Sequence, residues 1–261
     1  MNTTIKAVFF DVDKTIYTHE QHDVMPNTLT SMYQLQELGI KVGIATSRCR
    51  YEMSNTPLHL RTFPFDGCIY DGGALVEEKG NIIEHRTIPI ADMKSLLQYA
   101  KKQQLTLRYS TLDQDYFAFT PRQEDKDIFF YLYLNTPTIK VYENEAVLNV
   151  LLYIKNKAQR EEIAALLRDT SLVDHGRVIE INSGQIDKSD GVLTLCKQWG
   201  IGMHEVMCFG DGENDVNLLQ KAGIGIAMGN GCEAVKRVAD YTTDTIDDDG
   251  VYHALQHYGI L

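Results

Sequence analysis

The sequence is poor in the residues that mark several protein classes. Its five cysteines, Cys49, Cys68, Cys196, Cys208 and Cys232, form no CxxC pair, and their wide spacing fits neither a zinc centre nor a disulfide framework. They are expected to be reduced, mostly structural thiols. With 6 prolines and 19 glycines the chain is neither collagenous nor of low complexity. No run of adjacent basic residues is longer than a pair such as Lys101-Lys102, and the formal net charge is −11. Such a field repels nucleic acid and anionic lipid, so neither is expected as a partner. No stretch approaches the roughly 18 apolar residues of a membrane span, and the opening MNTTIKAVFF has no signal-peptide pattern, which makes the cytoplasm the expected location. A GxxxxGK[ST] loop is missing, and the segment Gly223 to Gly231 has no GxGxxG opening, which argues against P-loop and dinucleotide chemistry. No internal repeat is visible.

What the chain does have is 44% apolar residues over 261 positions, enough for a sizeable core without covalent staples. The run Ile5 to Phe10 reads as a buried strand that breaks into DVDKT. Leu29, Met32, Leu35 and Leu38 recur at helical spacing over Pro26 to Leu38, with Asn27 as the expected cap and Gly39 as the stop. Lys41 to Ala45 and Phe65 to Tyr70 read as further strands. Strand, helix and strand within so short a span is the rhythm of a parallel α/β domain. Near residue 83 the texture changes to short alternating strands, at Leu105 to Ser110, Tyr116 to Phe119, Ala146 to Ile154 and Arg177 to Ile181. Helices are expected near Ala91 to Lys101 and Lys157 to Arg168. The parallel texture returns with a helix over Asp190 to Trp199, a strand over Glu205 to Phe209, a helix over Asp215 to Lys221 and a strand over Ile224 to Ala227. The expected architecture is an α/β parallel-sheet core, residues 1–82 and 183–261, with an α+β domain inserted over 83–182.

Two acidic pairs carry the chemistry. Asp11 and Asp13 follow the first strand, and Asp211 and Asp215 follow another in FGDGEND, with Asn214 between them. Open parallel sheets bind ligands beyond the carboxyl ends of their strands. If the two strands are neighbours, three or four carboxylates converge, and their mutual repulsion calls for a cation. An oxygen-only donor set favours Mg²⁺. A calcium loop starting at Asp211 lacks glycine at its sixth position and glutamate at its twelfth. Thr46 and Ser47, at the end of the second strand, offer donors to an anionic oxygen, and Lys188 can supply a mobile positive charge just before a helix. Arg48, Arg50 and Arg108 read either as contacts to a substrate anion or as surface groups. Tyr109, Tyr116, Phe117, Phe119 and the run Phe129 to Tyr133 read as core of the insert ahead of a substrate pocket. His19, His22 and His59 have no metal-ligand spacing, and none of them is assigned a role.

In this order the motifs resemble those of haloacid-dehalogenase-superfamily phosphatases, specifically the Cof-like branch with a large α+β cap of the C2B type, across essentially the whole chain. The resemblance implies a three-layer Rossmann-like core. DVDKT resembles the nucleophile motif, so Asp11 is implied to attack phosphorus and Asp13 to act as acid and then as base, its backbone carbonyl joining the metal ligands. Thr46 of ATS is implied to hold a phosphoryl oxygen, Lys188 to neutralise phosphate, Asp211 to ligate Mg²⁺, and Asp215 to be a ligand or an anchor behind one. AMGNG, Ala239-Asp240 and Asp249-Gly250-Val251 resemble the tail of the branch. The sequence departs from the branch at Lys14 and Ser47, where glycine is common, and at Gly72-Gly73 in place of Asn-Gly.

The expectation is a Mg²⁺-dependent phosphatase acting on small phosphate monoesters, sugar phosphates or phosphorylated cofactors, through an aspartyl-phosphate. Asp13 is expected to have a raised pKa, and the insert to close over the cleft. A phosphomutase, and a catalytically weak regulator that binds a phosphate ligand, are the alternatives. A monomer or small homo-oligomer is expected.

Overall fold

The computed structural model describes residues 4–131, 134–184 and 186–261, and the chain divides into two units. The first comprises Met1–Ser47, Thr56–Glu84 and Asp187–Leu261, and the second Arg48–Asn55 and His85–Ile186. The first unit holds strands β1 (Ala7–Phe10), β2 (Lys41–Ala45), β3 (Gly67–Tyr70), β4 (Leu75–Glu78) and β5 (Asn81–His85). The second holds β6 (Thr106–Ser110), β7 (Asp115–Phe117), β8 (Thr138–Ile139), β9 (Asn149–Tyr153), β10 (Thr170–Asp174) and β11 (Val178–Ser183). The chain then returns to the first unit with β12 (Val206–Gly210), β13 (Ile224–Ala227) and β14 (Tyr241–Thr242).

The sheet of the first unit runs β14-β13-β12-β1-β2-β3-β4-β5, parallel from β14 to β3. Its centre is β1, a wholly apolar strand buried along its length, as a parallel strand covered on both faces must be. The register Phe10↔Phe209 on one side and Phe10↔Ile44 on the other brings the ends of β12, β1 and β2 level. The three loops that carry Asp211, Asp11 and Thr46 therefore leave the sheet side by side. The helix Lys188–Trp199 packs on this sheet through Val192, Leu195 and Cys196 against Ala7, Phe9, Ala45 and Ile69. Trp199, at its far end, stacks on Phe9 with ring centroids 5.8 Å apart and donates its indole N–H to Glu78 at 2.7 Å. No helix among the described residues is long and apolar enough to cross a membrane.

The sheet of the second unit runs β10-β11-β9-β6-β7-β8 and is antiparallel except at its β7–β8 edge. The helix Ile90–Gln103 places Met93, Leu96 and Ala100 against Leu107, Tyr109, Val150, Leu152 and Ile181. Tyr109 is a core residue with Tyr116 and Phe119 packed against its cluster, and Phe117 is buried in a separate cluster with Phe129 and Tyr153. Phe129 is buried while Phe130 is exposed, and Leu132 and Tyr133 of that aromatic run lie outside the described residues.

Three expectations are corrected. The segment Arg48–Asn55 groups with the inserted unit rather than with residues 1–82. Its Cys49 and Glu52 are engaged by Arg108, whose guanidinium lies 2.9 Å from the Cys49 Sγ and 3.1 Å from a Glu52 oxygen. Arg108 is therefore not a surface group. It is 1% exposed and also meets Asp115 at 3.1 Å and Asn149 at 3.3 Å, as a buried charge requires. Finally, Asn27 is not a helix cap. Pro26 opens that helix, with Met25 at the cap position, and the Asn27 side chain donates to Asp249 at 2.8 Å.

Candidate active site

Asp11 is the first residue beyond β1, and its backbone N–H donates to the Phe209 carbonyl at 3.0 Å, which continues the β1–β12 ladder past the strand end. Its side chain is 8% exposed. On the neighbouring strand β12 gives way at Asp211 to a tight loop ending in the short helical turn Glu213–Asp215. That loop is closed by Asp215, whose Oδ2 accepts the backbone N–H groups of Asp211 and Gly212, each at 3.0 Å. The closure demands glycine at 210, because a Cβ there would lie 2.5 Å from the Asp215 Cβ.

Lys188 arrives from the opposite side as the first residue of its helix. The helix start is fixed by a reciprocal cap. The Asp187 side chain accepts the Ser189 N–H at 2.7 Å, and Asp190 accepts the Asp187 N–H at 3.0 Å. The backbone at Asp187 also packs on Gly73, where a Cβ would stand 2.4 Å from the Asp187 carbonyl oxygen. Gly73 has a φ of +114°, so the glycine that this position shares with the branch pattern serves the seating of this helix. Lys188 does not act as a mobile charge, as its sequence position suggested. It is 1% exposed, and its Nζ donates to Asp11 Oδ1 at 2.6 Å and Asp215 Oδ1 at 2.7 Å.

The electrostatics follow from crowding. Burial pushes the Asp11 carboxyl well above the usual range, with Lys188 opposing and Asp215, Asp211 and Asp13 reinforcing. Burial also lifts Asp211, to about 6, helped by Asp215 and Asp13 and opposed by Lys188 and Lys14. For Lys188 burial disfavours the charge, but Asp11 and Asp215 outweigh it, so the amine is held above its ordinary value and stays protonated. One oxygen from each of Asp11, Asp211 and Asp215 lies within 4.8 Å of the others, an all-oxygen donor set of the kind that hard divalent cations take. Lys14, which stands where the branch has glycine, adopts a left-handed φ of +59°, and the Asn230 side chain donates to its carbonyl at 2.8 Å.

Thr46 continues from β2, its N–H donating to the Ile69 carbonyl at 2.9 Å, and is buried. Ser47 Oγ accepts from the Asn214 side chain at 2.8 Å, which ties the β2 loop to the β12 loop. Asp11, Lys188, Asp211 and Asp215 thus form one cluster, with Ser47 and Asn214 paired on adjoining loops. Asp13 lies a step outside it, in a short bridge with Tyr17. Its Oδ1 is 2.8 Å from the His19 Nε2, a pairing for which the spacing of the histidines gave no signal.

This cluster, a buried lysine joining aspartates beyond the carboxyl ends of neighbouring parallel strands, lies within the stretch that matches the haloacid dehalogenase-like hydrolase family. The model of that family matches residues 8–255, and the chain belongs to it, among the Cof-like phosphatases. It is similar to the 5-amino-6-(5-phospho-D-ribitylamino)uracil phosphatase YitU of Bacillus subtilis, at 27% identity over 99% of both chains. It is also similar to the phosphoglycolate phosphatase of Methanopyrus kandleri, at 30% identity over 94% of this chain and 93% of that one. Among solved structures, a subclass IIB sugar phosphatase superposes with a TM-score of 0.87 at 29% identity, covering 98% of this chain and 100% of the other.

Proposed function

We propose that the protein hydrolyses small phosphate monoesters, sugar phosphates or phosphorylated cofactors, in a Mg²⁺-dependent reaction through an aspartyl-phosphate on Asp11. The observation that carries this reading is the buried Asp11–Lys188–Asp215 arrangement beside Asp211. Asp11 and Asp211, with the backbone carbonyl of Asp13, are the groups that would hold the metal, and Asp215 stands beside them. The donor chemistry fits, since several carboxylates face one lysine, and with that lysine in place burial and mutual repulsion still push two of them toward protonation. Asp215 already accepts from Lys188 and from two backbone N–H groups, which favours an anchoring role for it over direct ligation. When bound, the cation offsets the carboxylate charges and the negative charge of the phosphoryl oxygens.

In the first step an Asp11 oxygen forms a bond to phosphorus as the bond to the ester oxygen breaks. Asp13 gives its proton to the departing alcohol. In the second step Asp13 takes a proton from water, the water oxygen bonds to phosphorus, and the Asp11 carboxylate is released with phosphate. Lys188 holds Asp11 aimed and offsets charge on the transferring group, while Thr46, Ser47 and Asn214 position the phosphoryl oxygens. The names of the similar proteins, which act on a phosphoribityl uracil, on phosphoglycolate and on sugar phosphates, support small phosphate esters as the substrate class.

The test is a Mg²⁺-supplemented panel of phosphorylated sugars, nucleotides, flavin and pyridoxal phosphates, with Asp11→Asn as matched control. Release of inorganic phosphate by the wild type alone is expected. An isomeric phosphate in place of free phosphate would assign a mutase, and saturable binding without turnover would assign a regulator.

A further inference from the structure

Asp13 must swing its proton between an alcohol and a water while its carboxyl keeps one orientation, so whatever grips that carboxyl bears on both steps. The His19 Nε2 is 2.8 Å from Asp13 Oδ1, and the two side chains are 26% and 34% exposed. The loop between them is built tightly. The Val12 carbonyl accepts the N–H groups of Thr15, Ile16 and Tyr17 at 3.3, 3.1 and 2.8 Å, and Lys14 N–H donates back to the Tyr17 carbonyl at 2.9 Å. Beyond it, Thr18 N–H donates to the Asp23 carbonyl at 2.9 Å, which closes the segment carrying His19. Tyr17, 2% exposed, sets its ring edge-on to the imidazole, with centroids 5.1 Å apart at 75°. His19 is thus flanked by a closed backbone turn and by the Tyr17 ring, and its Nε2 falls on Asp13.

We propose that His19 is a positioning residue for Asp13. The imidazole grips Oδ1 and thereby fixes the direction of Oδ2, the oxygen that exchanges the proton. This rests on the reading of Asp13 as the acid and base. A half-exposed pair of this kind contributes little to folding. Its value is geometric, since loss of alignment at a proton donor removes part of the factor that general acid catalysis supplies.

The experiment measures single-turnover release of the leaving group. The substrates are 4-nitrophenyl phosphate, whose phenolate departs with little need of a proton, and an alkyl phosphate chosen from the sugar phosphates that the wild type hydrolyses. His19→Ala is expected to slow alkyl release roughly tenfold to a hundredfold and nitrophenol release less than about threefold, with KM unchanged. His19→Gln, which keeps an N–H donor at similar reach, is expected to restore most of the alkyl rate. In an Asp13→Asn background, removal of His19 should cost nothing further. Equal losses on both substrates, a change confined to KM, no rescue by glutamine, or additive losses with Asp13→Asn would each overturn the proposal. Wild-type activity that survives Asp13→Asn unchanged would instead overturn the role of Asp13. A wild type that hydrolyses nothing in the panel would overturn the phosphatase reading, and the His19 proposal with it.

Discussion

Replacing Lys188 by methionine removes the only cation within hydrogen-bond distance of both Asp11 and Asp215 among the described residues, at 2.6 and 2.7 Å, and leaves a side chain of similar length. At an effective dielectric of 20 each contact is worth about 6 kcal/mol of attraction before desolvation. Burying the ammonium costs much of that, and breaking a buried pair from one side typically costs about 3–5 kcal/mol. A loss of that size is therefore expected at pH 7.5 without metal. The sign with pH follows from linkage. The lysine's folded pKa is raised above its unfolded one, so its contribution is complete throughout the neutral range and is lost only at strongly alkaline pH. In Lys188→Met the Asp11 carboxyl, already raised by burial, loses the lysine that opposes that rise and moves further up from its unfolded value. The folded state then binds more protons than the unfolded one, and stability falls as pH rises. The deficit should accordingly be smaller at pH 5 than at pH 7.5. Mg²⁺ at a hundred times its dissociation constant should return about 2.7 kcal/mol. The assay is urea unfolding followed by tryptophan fluorescence, since the sole tryptophan, Trp199, lies in the same unit and stacks on Phe9. A variant within about 1 kcal/mol of wild type at pH 7.5, where a broken buried pair should cost several, would refute the reasoning, as would a deficit independent of pH.

Two further expectations concern the same cluster. The Asp211 carboxyl is lifted to about 6, so below that pH a bound metal must displace its proton, and apparent Mg²⁺ affinity should fall by up to about tenfold per pH unit there while staying level above pH 7. Activity titrated with Mg²⁺ at pH 5 and 6 against pH 7 checks the fall, and a midpoint that does not move between pH 5 and 7 would contradict it. Gly210→Ala sets a methyl group 2.5 Å from the Asp215 Cβ and 2.7 Å from its Oδ2. It should cost about 1–3 kcal/mol in urea and reduce turnover by displacing the lysine's partner, whereas wild-type stability and rate would show that the loop yields.

The sequence was most legible where a single physical demand dominated. β2 and β13 coincide with the apolar runs Lys41 to Ala45 and Ile224 to Ala227, because strands covered on both faces need uninterrupted apolar side chains. The hairpin β4–β5 went unseen because Glu77, Glu78 and Glu84 interrupt its pattern, although Glu77 is in fact buried and Glu78 and Glu84 bind Trp199 and Thr194. β10 is half-buried from Thr170 to Val173 and exposed at Asp174, and gives no alternation to read. The site motifs were visible as short strings at strand ends, but the burial of Lys188 was not. Its partners lie 177 and 27 residues away in the chain, and only the level ends of β1 and β12 bring them to it. His19 was missed for a local reason. Its partner is not another histidine at ligand spacing but an aspartate reached through a tight turn. Arg108 read as either an anion contact or a surface group because nothing in its strand announces Cys49, Glu52, Asp115 and Asn149, the four residues that enclose it.

The division of the sheet around the inserted unit has a consequence for synthesis. β1 leaves the ribosome ahead of the second unit, yet β12, which pairs along one whole edge of it, is translated only after that unit is complete. The second unit's sheet pairs stretches that are close in the chain and can form while the central strand of the first still lacks that neighbour. Nascent chains arrested before residue 206 should therefore protect the insert from protease while β1 remains cleavable, and the carboxylate cluster comes together last, with its lysine already in the chain.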